Sequence, residues 1–103
     1  MLHLISYDLK KPGQDYSALY RMISSLGEPN YCLASTLLLY SRYTAAYVDQ
    51  QLKSVIDGND ELIVVDITGV QENNYFGRLT NRVNRLSVWD WMKAHNILGG
   101  SAQ

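Results

Sequence analysis

A chain of 103 residues, 47% hydrophobic and 18% charged, has room for one core and is too apolar to remain disordered. Its net charge of −1 excludes the basic excess of a generic nucleic-acid binder, so any such contact must come from a local patch. No apolar run nears the roughly 18 residues that span a bilayer, and Met1-Leu2-His3 lacks the charged start of a secretory leader, so a cytoplasmic protein with no membrane contact is expected.

The first expected element is a strand over Leu4-Ile5-Ser6-Tyr7-Asp8-Leu9, which delivers Asp8 to its end and turns through Pro12-Gly13-Gln14. Asp15 then caps a helix with Tyr16, Leu19, Tyr20, Ile23 and Leu26 on one stripe. Gly27 takes the left-handed C-cap position and Pro29 stops the helix from resuming. Tyr31 to Leu33 and Thr36 to Tyr40 form a hairpin that bends at Ala34-Ser35-Thr36. Thr44 caps a second helix with Ala45, Val48, Leu52, Val55 and Ile56 on its inner face and Gly58 past its end. Glu61 to Thr68 is β-rich and reads as a strand buried at least in its first half.

Residues 70 to 86 lack a clean period and read as a partly ordered connection. Ser87 caps a short helix, Val88 to His95, with Val88, Trp91, Met92 and His95 on one face, and Gly99 to Gln103 is a frayed tail. The lone Cys32 cannot form an internal disulfide and reads as a small buried hydrophobe, while His3 and His95 are too far apart in sequence for zinc-ligand spacing.

This order of elements predicts an α+β, ferredoxin-like βαββαβ domain over residues 1–69, with a four-stranded antiparallel sheet and both helices on one face. Residues 70–98 form an extension carrying the short helix, and 99–103 a flexible tail. In that topology the carboxyl end of the first strand lies near the start of the third, at Ser35-Thr36, and of the fourth, at Asp60-Glu61. Three carboxylates from distant parts of the chain would meet there. The second sheet face needs a cover, and Trp89 and Trp91 point to different sides of their helix, so a homodimer is expected with Trp89, Trp91 and Met92 at a partner interface.

Ser6-Tyr7-Asp8-Leu9, Lys11 to Tyr16, Leu19-Tyr20, Leu26-Gly27, Leu33 to Thr36 and Asp60-Glu61-Leu62, taken in series, resemble the small SinR-like proteins of bacteria and phages. Those in turn are similar to the CRISPR-adaptation-nuclease-like proteins and to the virulence-associated protein D (VapD) ribonucleases. The resemblance covers about residues 1–69 and implies a ferredoxin-like homodimer in which an aspartate at the end of the first strand serves metal-dependent phosphodiester hydrolysis. On this sequence that residue is Asp8. Glu28-Pro29-Asn30 and Leu37 stand where such proteins often carry aromatics, and no helix-turn-helix accompanies the SinR-like label.

The candidate site residues follow. Asp8 either accepts hydrogen bonds in its turn or ligates Mg²⁺ or Mn²⁺, with Asp60 and Glu61 as further ligands and Ser6 and Ser35 as supporting donors. Lys10, Lys11 and the strip Arg78, Arg82 and Arg85 are either solvated charge or phosphate contacts; the three arginines share a face only if their segment is helical. Of the eight tyrosines, Tyr43 and Tyr47 are the best placed for exposure and for stacking on bases. The expected function is that of a small metal-dependent endoribonuclease or nucleic-acid-binding protein acting on RNA or DNA. The rival is a non-catalytic homodimeric interaction module, encoded by a phage or mobile element and binding a host protein complex.

Overall fold

The computed structural model describes residues 1–11 and 15–95, so the turn expected at Pro12-Gly13-Gln14 and the tail expected from Gly99 lie outside the described residues. The chain runs β1 (Leu2–Asp8), α1 (Ser17–Leu26), β2 (Gly27–Leu33), β3 (Thr36–Ser41), α2 (Ala45–Lys53) and β4 (Glu61–Asp66). The strands form one antiparallel sheet in the order β2-β3-β1-β4. A two-residue-a-side hairpin follows, β5 (Arg82–Val83) and β6 (Leu86–Ser87), and then α3 (Val88–His95).

Alternation along the strands splits the apolar residues between two faces. On one, Ile5, Tyr7, Leu37 and Leu39 pack against Leu19, Ile23 and Leu26 of α1 and Val48 and Leu52 of α2. The Thr44 hydroxyl accepts the Tyr47 N–H at 3.2 Å and starts α2 where expected. The helix stops at Lys53, and Val55 and Ile56 reach the core from the following turn.

The other face is covered in part by the chain itself. Leu2 and Leu38 pack against Val88, Trp91 and Met92, with Leu4, Cys32 and Tyr40 at the margin. Trp91 is fully buried and Met92 nearly so, which corrects their assignment to a partner interface: the inner stripe of α3 docks on its own sheet. Trp89 is half-buried and stacks on Tyr75. Along β1 and β3, α3 of the same chain thus covers part of this sheet face.

The outer strand, β4, stays largely open on this face. Ile63 is 59% and Val65 40% exposed, so the burial expected for the first half of this strand is corrected. Gly27 is corrected as well. Its φ of 168° is extended, not left-handed, and α1 passes straight into β2 with no cap turn. Pro29 sits inside β2, tolerated because β2 is the opposite edge strand. Residues 82 to 87 turn through Asn84 (φ 52°) and Arg85 (φ 68°), the paired left-handed conformation of a tight hairpin, so the segment is not helical.

Candidate functional site

Antiparallel pairing of β1 with β4 sets Asp8 directly opposite Glu61. Both side chains lie on the sheet face that α3 covers only further along, as do Ser6 and its cross-strand partner Thr36. The carboxyl end of β1 thus carries an open polar corner. Lys10 turns back into it, its ammonium 2.7 Å from Asp8 Oδ2 and 3.3 Å from Glu61 Oε1. Hydrogen bonds from Lys10 to Asp8 and to Glu61, with the attraction of both charges, hold its ammonium pKa above the usual lysine range. The corner is therefore two exposed carboxylates sharing one cation.

Asp60, expected as a third ligand, does a different job. Its Oδ1 accepts the Lys10 backbone N–H at 2.7 Å and the Tyr16 hydroxyl at 3.2 Å, and its Oδ2 accepts the Asp57 N–H at 2.9 Å. Desolvation pushes its pKa up, and these bonds with the nearby Lys11 charge outweigh that, leaving it below the ordinary carboxylate range. Asp60 thus caps backbone N–H groups and ties the β1 exit to the α2–β4 turn. A groove of about 460 Å³ runs beside it, lined by Ile56, Asp57, Asp60, Glu61 and Leu62 among others.

The remaining expected residues divide. Ser6 Oγ lies 3.0 Å from Thr36 Oγ1 and 3.4 Å from the Ser35 carbonyl oxygen, which also accepts the Tyr7 N–H at 3.0 Å. Ser35 thus serves through its backbone. Lys11 pairs with Asp57 at 3.6 Å. Arg82 donates to the Arg85 carbonyl at 2.7 Å across the hairpin, and Arg78 precedes the hairpin in an exposed stretch, so the three arginines share no helix face. Burial pushes the Cys32 thiol up, away from a reactive thiolate.

Two further clusters stand outside the carboxylate corner. Glu28 Oε2 accepts Trp91 Nε1–H at 2.7 Å and lies 3.0 Å from His95 Nε2, while His95 Nδ1 lies 2.8 Å from the Trp91 carbonyl oxygen. This clasp holds the end of α3 to edge strand β2. At the opposite end of the sheet from Asp8, Arg42, Tyr43 and Tyr47 form a layered group beside a cleft of about 620 Å³. The first could not be read from spacing, since strand pairing and the docking of α3 bring its members together; in the second, the sequence offers Tyr43 and Tyr47 for stacking but not Arg42 as their partner.

No protein-family model, curated protein or solved structure matches this chain. Among the described residues no three of His, Cys, Asp and Glu gather into a group that could hold a metal ion. Nor is any helix among them long and apolar enough to cross a membrane. Function is therefore argued from the site's own geometry.

Proposed function

We propose that this is a small metal-dependent phosphodiesterase acting on nucleic acid, an endoribonuclease on a ferredoxin-like domain of the CRISPR-adaptation-nuclease-like and VapD type. The observation that carries the reading is the Asp8–Glu61 pair facing across β1 and β4 with a cation shared between them. A pair of carboxylates completed by water and substrate phosphates is an ordinary Mg²⁺ donor set, and the exposure of both side chains leaves substrate access open. Bound there, Mg²⁺ or Mn²⁺ would neutralise phosphate charge and activate a water. Asp8 and Glu61 would hold the ion in place of the Lys10 ammonium, and Lys10, released, would contact the phosphate. Asp60 keeps the loop that carries Lys10 in position.

The test is Mg²⁺- and Mn²⁺-dependent cleavage of an RNA and DNA panel by the wild type, Asp8→Asn and Glu61→Gln, each verified as folded. Cleavage is expected to fall more than about 100-fold in Asp8→Asn, beyond the 10- to 100-fold that loss of a supporting partner costs a metal site. Lys10→Ala, which removes the competing cation, is expected to tighten Mn²⁺ binding while slowing cleavage. RNA turnover by Asp8→Asn at the wild-type rate would sink the reading.

A second reading, a non-catalytic interaction module forming a homodimer or joining a host complex, is favoured by one observation. Phe76 is 86% exposed beside the Tyr75–Trp89 stack, and Ile63 and Val65 are open on the outer strand. Concentration-dependent light scattering by the wild type and by Phe76→Ser and Ile63→Lys separates the two readings. Monomers throughout, with metal-dependent cleavage intact, would eliminate this one.

A further inference from the structure

The cleft at the amino end of β1 lies away from the carboxylate corner. Ser41 ends β3 beside the start of β1, whereas Asp8 ends β1, and six strand steps of about 3.3 Å put roughly 20 Å between the two places. Three features of this cleft converge on one ligand chemistry.

The first is a fixed, uncompensated cation. Arg42 is exposed, has no carboxylate within ion-pair distance among the described residues, and donates from Nη2 to the Tyr43 hydroxyl at 2.9 Å. A neutral phenol therefore orients the guanidinium without cancelling its charge, and the remaining N–H groups stay available as a fork for an oxyanion. The second is an aromatic layer. The guanidinium carbon stands 4.9 Å from the Tyr43 ring centroid, and the Tyr43 ring stacks on Tyr47 at 4.7 Å and 28°, with Tyr47 41% exposed.

The third is rigidity. The Tyr43 carbonyl accepts from buried His3 Nε2 at 2.8 Å, the Tyr43 N–H donates to Ser41 Oγ at 3.0 Å, and Ser41 Oγ donates to the Leu26 carbonyl at 2.7 Å. Tyr47 is set by the Thr44 cap. The group is thus ordered before any ligand arrives, which lowers the cost of binding. The adjoining cleft of about 620 Å³, with Ser24 and Ser25 on one wall and Glu28 on another, is of the size that accepts a nucleotide.

We propose that the Arg42–Tyr43–Tyr47 layer, with the cleft beside it, binds a short stretch of single-stranded nucleic acid, a phosphate on the Arg42 guanidinium at the cleft and a base stacked against the exposed Tyr47 ring outside it. Ser24 and Ser25, which line the cleft with Arg42, supply hydroxyls to the phosphate or sugar. The proposal rests on the nucleic-acid part of the reading above and is independent of metal chemistry at Asp8.

The experiment is fluorescence anisotropy in EDTA, which silences metal-dependent cleavage, using the full chain. The probes are a labelled 12-nucleotide oligouridylate, the matching oligothymidylate, and unlabelled uridine monophosphate as competitor. Arg42→Ala and Tyr47→Ala are each expected to weaken oligonucleotide binding about tenfold, the usual range for a lost phosphate fork or stacked base. Arg42→Lys should recover part of the loss, and the wild-type affinity should fall with salt. Both residues are exposed, so the variants should keep the wild-type circular dichroism. Equal affinity for RNA and DNA, or tighter RNA binding through the 2′-hydroxyl, would each support the site. Wild-type affinity in both Arg42→Ala and Tyr47→Ala would overturn it, as would no binding of any probe or binding of the mononucleotide alone. Loss of cleavage in Asp8→Asn with retained anisotropy would separate this site from the carboxylate corner.

Discussion

Gly27 stands where α1 becomes β2, and what it requires there is space. A Cβ at this position would overlap the carbonyl oxygen of Tyr40, because β2 and β3 close against each other at the Gly27–Ser41 pair. From sequence alone a glycine after a helix reads as a left-handed cap; the extended φ and the approach of Tyr40 give it another reason to be glycine. Gly27→Ala is expected to cost about 1–3 kcal/mol in urea unfolding, the usual range for overpacking. A change below about 0.5 kcal/mol, as for an ordinary surface substitution, would show that the strands separate freely here. Asp8 and Asp60 carry a related lesson. Both are aspartates beside turns, and among the described residues Asp60 takes backbone N–H groups on both oxygens while Asp8 pairs with the Lys10 ammonium. Which of two similar residues accepts them depends on strand register, which no local pattern contains.

At the scale of elements, α3 was legible as a helix and illegible as a partner. Ser87 and the stripe Val88, Trp91 and Met92 mark it in the sequence, and the Ser87 hydroxyl accepts the Asp90 N–H at 3.2 Å. Periodicity says that the stripe must be covered, but whether by a second subunit or by the same chain depends on the reach of residues 70 to 87. That stretch has no period of its own, and its hairpin turns through Asn84, which accepts a left-handed conformation, and Arg85, which rarely adopts one. Trp91→Ala is expected to cost about 3–5 kcal/mol, since the indole is fully buried and its loss also leaves Glu28 Oε2 without that donor. Chemical denaturation reads the cost, and increased binding of an apolar dye would report the opened sheet face. An unchanged denaturation midpoint would mean that α3 contributes nothing to the fold. Strand β2 was half-missed for a comparable reason: Gly27, Glu28, Pro29 and Asn30 are poor strand formers, held extended by β3 on one side.

For the whole molecule, the titrating groups set a pH window of stability. Asp15, Asp60 and Asp66 are held below the ordinary carboxylate range, Asp15 and Asp66 by hydrogen bonds from Ser17 and Thr68. A depressed folded value means that the contribution is complete above the unfolded value near pH 4 and is lost as pH falls through the folded one. Tyr7 goes the other way, raised by burial first and by neighbouring Tyr20 next, so its contribution is complete below about pH 10 and is lost as pH rises. Thermal unfolding followed from pH 2 to 11 should therefore show a plateau with losses at both ends, and Asp60→Asn should flatten the acid limb while leaving the alkaline one unchanged. An acid limb identical in Asp60→Asn would mean that Asp60 has no part in it. The sequence by itself determined the helices, most of the strands and the meeting of Asp8 with Glu61, because amphipathic period, capping residues and antiparallel pairing act over short stretches or through simple topology. Only the tertiary structure decided that α3 docks on the second sheet face and that Asp60 ties the β1 exit to the α2–β4 turn. Those outcomes depend on contacts between residues far apart in the chain, and their energies are set by burial and distance, which a linear pattern does not record.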